Sequence, residues 1–203
     1  SRFKTIHNGI DLRYWHPSTN DNDRLAIRKT YAIPAEANVI VMTAALRIEK
    51  NHIGAVKALR LLHTVYNQKA YLLMVGDGVM KEEIVKLAQE LNLQDYVKIT
   101  GMQKEVRPFY WTSDLFTLTS TSVETFSIAA LEAMGCGLPS VLTNIGGATE
   151  MVRDGLNGYI CNLEEQDMAQ KWSTALSNNF SRDSIHHFTR DNFSAEKMLE
   201  EYR

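Results

Sequence analysis

The stretch VETFSIAALEAMGCGLPS, residues 123–140, carries a carboxylate in a polar run at Glu124 and another at Glu132, inside an apolar segment. A carboxylate only accepts hydrogen bonds, and it takes two vicinal hydroxyls at once. Two cations stand earlier in the chain, Arg47 and Lys50, in RIEKN. Two glycine-bearing turns, GDG at 76–78 and IGGATE at 145–150, each precede a helical pattern. Turns of that kind offer backbone N–H groups and the positive end of a helix dipole to an anion. Phosphate donors converging with carboxylates suit a ligand that is both phosphorylated and hydroxylated, and a nucleotide sugar is the simplest such ligand. The bland alternative is a solvated acid ahead of a surface helix.

These residues need a scaffold that brings them together. Short apolar runs at 38–46, 70–76, 96–101, 114–120, 138–144 and 158–161 read as strands. Several are apolar on both faces, as strands of a covered parallel sheet are. Ile53, Val56, Leu59, Leu62 and Val65 recur at helical spacing between the first two runs, and MKEEIVKLAQELN follows the second with a similar stripe. Strand, helix and strand at this rhythm predict right-handed crossovers and a doubly wound α/β sheet. In such sheets ligands bind outside the carboxyl ends of the strands, which is where RIEKN, GDG, TSVETFS and IGGATE fall.

Composition bounds the function classes. A net charge of −2 gives no electrostatic footprint for nucleic acid. Cys136 and Cys161 have no metal-ligand or disulfide spacing and suit a reducing compartment. No apolar run approaches the roughly 18 residues of a membrane span. Ser1 opens the chain in what reads as a strand, an expectation of a piece of something longer. Residues 1–20 read as a lead-in segment with an Asn-Gly turn, 21–190 as one α/β domain, and 191–203 as a terminal helix for which Ser194 is the expected N-cap.

Against this background the chain resembles the family 4 retaining glycosyltransferases of the two-domain GT-B fold. The resemblance rests on the E-x7-E pair Glu124 and Glu132, on HNGIDLRYWHP, ALRIEKN and VGDG, and on ITGMQKEVRPFYWTSDLF, LEAMGCGLPSV and GGATEMVRDGLNGYI, in unbroken order over about residues 5 to 163. It implies a Rossmann-like C-terminal half whose missing N-terminal half holds a glycan or lipid-linked acceptor and receives the terminal helix. It implies that Glu124 sits at the transferred sugar, that Glu132 takes the ribose hydroxyls, and that Lys50 neutralises the departing diphosphate. Gly76, Gly78, Thr125, Phe126 and Ser127 fall at donor-binding positions. The resemblance implies a UDP-, GDP- or ADP-sugar donor, acting as substrate with no further cofactor and no metal. A cytoplasmic location, peripheral at the inner face of the membrane through the missing half, is the matching expectation.

Three departures from the pattern matter. The usual arginine five residues before the lysine is Ala45, with Arg47 two residues on: either Arg47 reaches the phosphates by another path or the site works with one cation. Thr125 and Ser127 replace glycines, so side chains stand where backbone would approach a ligand closely. A non-hydrolysing sugar-nucleotide epimerase and an inactive nucleotide-sugar-binding module are the alternative readings.

Other signals read as structural. DND at 21–23 imitates a metal-holding pattern, but Asp23 reads as a helix N-cap. Adjacent His186 and His187 point apart on a helix, His16 and His52 read as surface or capping residues, and Cys136 reads as packing between two glycines.

Overall fold

The computed structural model describes residues 6–122 and 124–202; the strand expected at Ser1 lies outside them. Helix α1 (Asp21–Thr30) opens the domain, and its N-cap is Asn20, whose side chain accepts from the Asn22 amide. Asp23, the expected cap, instead lies in the first turn and accepts from Ser18. The chain then alternates: β1 (Asn38–Thr43), α2 (His52–Thr64), β2 (Ala70–Val75), α3 (Lys81–Glu90), β3 (Val97–Ile99), α4 (Arg107–Thr112), β4 (Leu115–Leu118), α5 (Ile128–Gly135), β5 (Ser140–Thr143), α6 (Ala148–Met151), β6 (Gly158–Cys161), α7 (Glu165–Ser177), α8 (Arg182–Phe193) and α9 (Ala195–Glu201).

All six strands pair in parallel, in the order β3-β2-β1-β4-β5-β6. β1 is central: Ile40 stands beside Leu72 on one neighbour and Leu115 on the other. Its Val39, Ile40, Val41 and Met42 are fully buried, which explains why the strand reads as an unbroken apolar run instead of an alternating one. Helices α2, α3 and α7 pack together on one face. Helices α4 and α5 cover the strands from the other face, with α8 on α5. Trp172 of α7, fully buried, donates from its indole N–H to Thr117 in β4. That bond satisfies the polar atom which so large a buried ring brings with it.

The order reverses between β1 and β4. One crossover series runs outward through β2 to β3, the other through β5 to β6, and the loops leaving β1 and β4 separate there. This is the topological switch point at which open α/β sheets bind ligands.

The two ends of the described chain meet. The Ile10 amide donates to Phe193 O, Ala195 N donates to Ile10 O, and a parallel bridge joins Ile10 to Ser194. Ser194 caps α9 by accepting from the Lys197 amide. The segment before α1 is therefore packed on the domain, with Ile10 buried and the Trp111 indole donating to His16 O.

Candidate active site at the carboxyl edge of the central strands

Lys50 closes a 3-10 turn, Ile48–Lys50, that leaves β1. Asn51 follows in the left-handed region at φ 55, and its side chain caps α2 by accepting from the Gly54 amide. Asparagine tolerates that conformation better than most side chains. Glu124 lies in the loop between β4 and α5. Lys50 Nζ reaches Glu124 Oε2 at 2.7 Å, and Ser120 Oγ donates to the same oxygen at 3.1 Å. The two charged side chains are 23% and 18% exposed, so the pair is sheltered yet open to a ligand. Residues 74 apart in sequence thus meet above the switch point.

The Glu124 loop rests on the Gly146–Gly147 turn. A Cβ on Gly146, at φ +58, would come within 1.5 Å of Glu124 O, and the Gly147 amide donates to Thr125 O at 2.7 Å. The glycines in IGGATE are therefore required by loop packing. That turn's Gly147 N–H is committed to protein, and α6 behind it has only four residues. Gly76 and Gly78 are pressed the same way. A Cβ on either would meet Ala44 O or Leu46 O at 2.1 or 2.5 Å, so GDG is moulded onto the loop leaving β1. Gly76 also borders a hollow of about 280 Å³, together with Thr43, Ala45, Asp77, Met102 and Gln103.

Glu132 lies in the second turn of α5, half-buried, with Tyr110 Oη at 3.3 Å from its Oε2. Burial pushes its carboxyl pKa above the ordinary value, against the Tyr110 hydrogen bond, which lowers it. Ser127 is the N-cap of α5: its hydroxyl accepts from the Ala130 amide at 3.2 Å. Thr125 is exposed. Phe126 stacks on His7 with centroids 4.9 Å apart and meets Phe193 edge-on, tying the loop to both ends of the described chain.

Arg47 is exposed and borders a different hollow, of about 290 Å³, with Asn51, His52, Met80 and Glu83. In that position it does not occupy the place of Ala45, which borders the first hollow. His52 is a correction to the sequence reading: it is buried, 1% exposed, at the start of α2. Burial, and then the charge of Lys50, push its pKa down to about 4, which keeps the ring neutral at ordinary pH. Burial likewise pushes the Cys136 thiol up to about 12, consistent with a packing role. Sequence reasoning missed Ser120, Tyr110 and Thr119. The run of four hydroxyl residues at 119–122, immediately after a strand, was the available signal.

A parallel sheet in this order, with a cation and two carboxylates at the carboxyl ends of its central strands, defines an open Rossmann-like α/β domain with a polar site at the switch point. Comparison with known proteins then specifies the family. Residues 23–191 match the family model of the glycosyl transferases group 1. N-acetyl-alpha-D-glucosaminyl L-malate synthase of Bacillus anthracis is 32% identical over 160 residues, which is 79% of this chain and 40% of that protein. A D-inositol 3-phosphate glycosyltransferase of Mycolicibacterium gilvum is 28% identical over 90% of this chain and 40% of its own length. Among solved structures, a glycosyltransferase from Rickettsia africae superposes with a TM-score of 0.87 at 23% identity, covering 97% of this chain and 54% of that one. Anabaena Alr3699/HepE in complex with UDP-glucose superposes with a TM-score of 0.81 at 26% identity, covering 98% and 55%. The chain belongs to the group 1 glycosyl transferases, and its fold is that of the C-terminal domain of GT-B enzymes. It spans about half or less of the length of these relatives.

Proposed function

We propose that this chain is the donor-binding half of a retaining, metal-independent glycosyltransferase that takes a UDP-sugar. The observation that carries the reading is the meeting of Lys50 with Glu124 at 2.7 Å over the switch point, with Glu132 on the helix that follows. A ligand diphosphate displaces Glu124 from the lysine, and the freed carboxylate then faces the sugar. As the glycosidic bond breaks, charge grows on the diphosphate, and a fixed cation beside it stabilises that charge more than it stabilises the ground state. Glu132, held by Tyr110, accepts from the ribose hydroxyls. UDP is favoured among the nucleotides because Anabaena Alr3699/HepE was solved with UDP and with UDP-glucose, at up to 26% identity.

On this reading the acceptor, a glycan or a lipid-linked glycan, is held by a further domain, and the enzyme works at the inner face of the membrane. No helix among the described residues is long and apolar enough to cross a membrane. The 203-residue chain alone binds nucleoside diphosphate weakly, because one wall of the cleft leaves part of the ligand in water. It transfers no sugar, because nothing positions an acceptor hydroxyl.

The test is calorimetric titration of UDP, GDP and ADP, followed by an assay of sugar transfer and anomeric configuration with the complete protein. Saturable binding of UDP with retention of configuration supports the proposal. Failure to bind any of the three, or inversion at the anomeric carbon, overturns it.

A further inference from the structure

We propose that Thr119 is a positioning residue that aims Lys50 at the site, a proposal that rests on the donor-binding reading of Lys50 given above. Thr119 immediately follows β4 and is fully buried. Its hydroxyl lies 3.0 Å from Lys50 O and 3.1 Å from Asn51 O. Asn51 O already accepts from Ala55 N in the first turn of α2. The Lys50 carbonyl, one residue ahead of that N-cap, has no place in the helix ladder, and the Thr119 hydroxyl supplies its donor. The main chain of the lysine is therefore held twice, by its own turn through Lys50 N donating to Arg47 O and by the residue that follows β4.

The next two residues extend the same clamp. Ser120 Oγ donates to the Glu124 carboxylate, and the Thr121 amide donates to Glu49 O at 2.9 Å. Thr143 Oγ1 of β5 donates to Ser120 O at 2.7 Å and fixes the strip from behind. Residues 119–121 thus touch both the loop of the cation and the carboxylate that the cation meets. If Thr119 only satisfied buried carbonyls, its loss would lower stability without acting through Lys50. If it aims the lysine, its effect on ligand vanishes once the lysine is gone.

The experiment compares Thr119→Val, which keeps the shape, and Thr119→Ala, a second variant without the hydroxyl, with Thr119→Ser, which restores it. Each is made alone and with Lys50→Ala. Calorimetry with UDP should show binding weakened about 3- to 10-fold by the valine and alanine variants, the scale of one lost hydrogen bond, and recovered by serine. In the Lys50→Ala background none of the three should change UDP affinity further. In the ligand-free protein, nuclear Overhauser contacts between the Lys50 ε-methylene and the Glu124 γ-methylene should weaken in Thr119→Val and persist in Thr119→Ser. Additive losses in the Lys50→Ala background, or contacts unchanged by valine, overturn the proposal. Absence of UDP binding by the unmodified protein defeats the donor-binding reading instead, while the ligand-free contacts still decide whether Thr119 sets the lysine.

Discussion

At the amino ends of β1 and β4, Asp114 accepts from Arg28, Arg24 and the Val39 amide, all at 2.9–3.1 Å. At their carboxyl ends, Glu124 accepts from Lys50 and Ser120. Both clusters join the same two neighbouring strands, yet they differ in how fully they are committed. The Arg28 side chain is 1% exposed, and besides Asp114 its guanidinium donates to the carbonyls of Pro34, Ala35, Ala37 and Thr112. Lys50 has three protons, and among the described residues its ammonium has one hydrogen-bond partner, Glu124. An arginine fork in a closed ring of carbonyls is a staple. A lysine with spare protons, held by a single partially exposed carboxylate, is a cation that can exchange that partner for a ligand.

The largest effect should come from breaking the staple. Arg28→Ala leaves four carbonyls without the guanidinium, while Asp114 keeps Arg24 and the Val39 amide. It should cost about 3–5 kcal/mol in urea unfolding, the scale of several buried acceptors losing a charged donor. A loss below about 1 kcal/mol would place Arg28 with ordinary surface cations.

Glu132→Ala comes next and belongs to the ligand end. On the donor-binding reading it should weaken UDP itself by about 1.5–3 kcal/mol, the value of hydrogen bonds to a charged group. An unchanged UDP dissociation constant would take Glu132 out of the site.

The effect of His52 depends on pH. An unfolded histidine titrates near 6.5, and this one near 4. Between those values the unfolded chain holds a proton that the folded one lacks, so this contribution to stability is full above pH 6.5 and is lost as pH falls toward 4. His52→Leu should flatten the acid side of the urea midpoint against pH. An identical slope in both proteins would mean that His52 is not kept neutral by the fold.

The staple and the exchangeable pair were not equally visible in the sequence. The strands were legible at all six positions because a covered parallel sheet needs apolar residues on both faces, a local property. Helix α4 was not, having only six residues, too few for a periodic stripe, and the helix expected after the IGG turn is the four-residue α6. The cap of α1 was misplaced because polar residues run together from Ser18 to Asp23, and only the backbone decides that Asn20 accepts. Lys50, Glu124 and Glu132 were each legible as single residues through the family resemblance. Their partners were not: Lys50 and Glu124 are 74 residues apart, Tyr110 meets Glu132 across 22, and Phe126 meets His7 from the other end of the domain. Gly146 and Gly147 resembled an anion-binding turn because a glycine pair serves ligand approach and loop packing equally well.

The contrast between the two ends is tested most directly by measuring Lys50→Ala twice, by urea unfolding and by UDP titration. A lysine with one hydrogen-bond partner among the described residues loses less on removal than an arginine that donates to a carboxylate and four carbonyls, whereas a charged contact to a diphosphate is worth about tenfold or more in affinity. The account therefore predicts a smaller loss of unfolding midpoint than Arg28→Ala causes, together with UDP binding weakened by about tenfold or more. An unchanged UDP affinity, or a stability loss equal to that of Arg28→Ala, would contradict it.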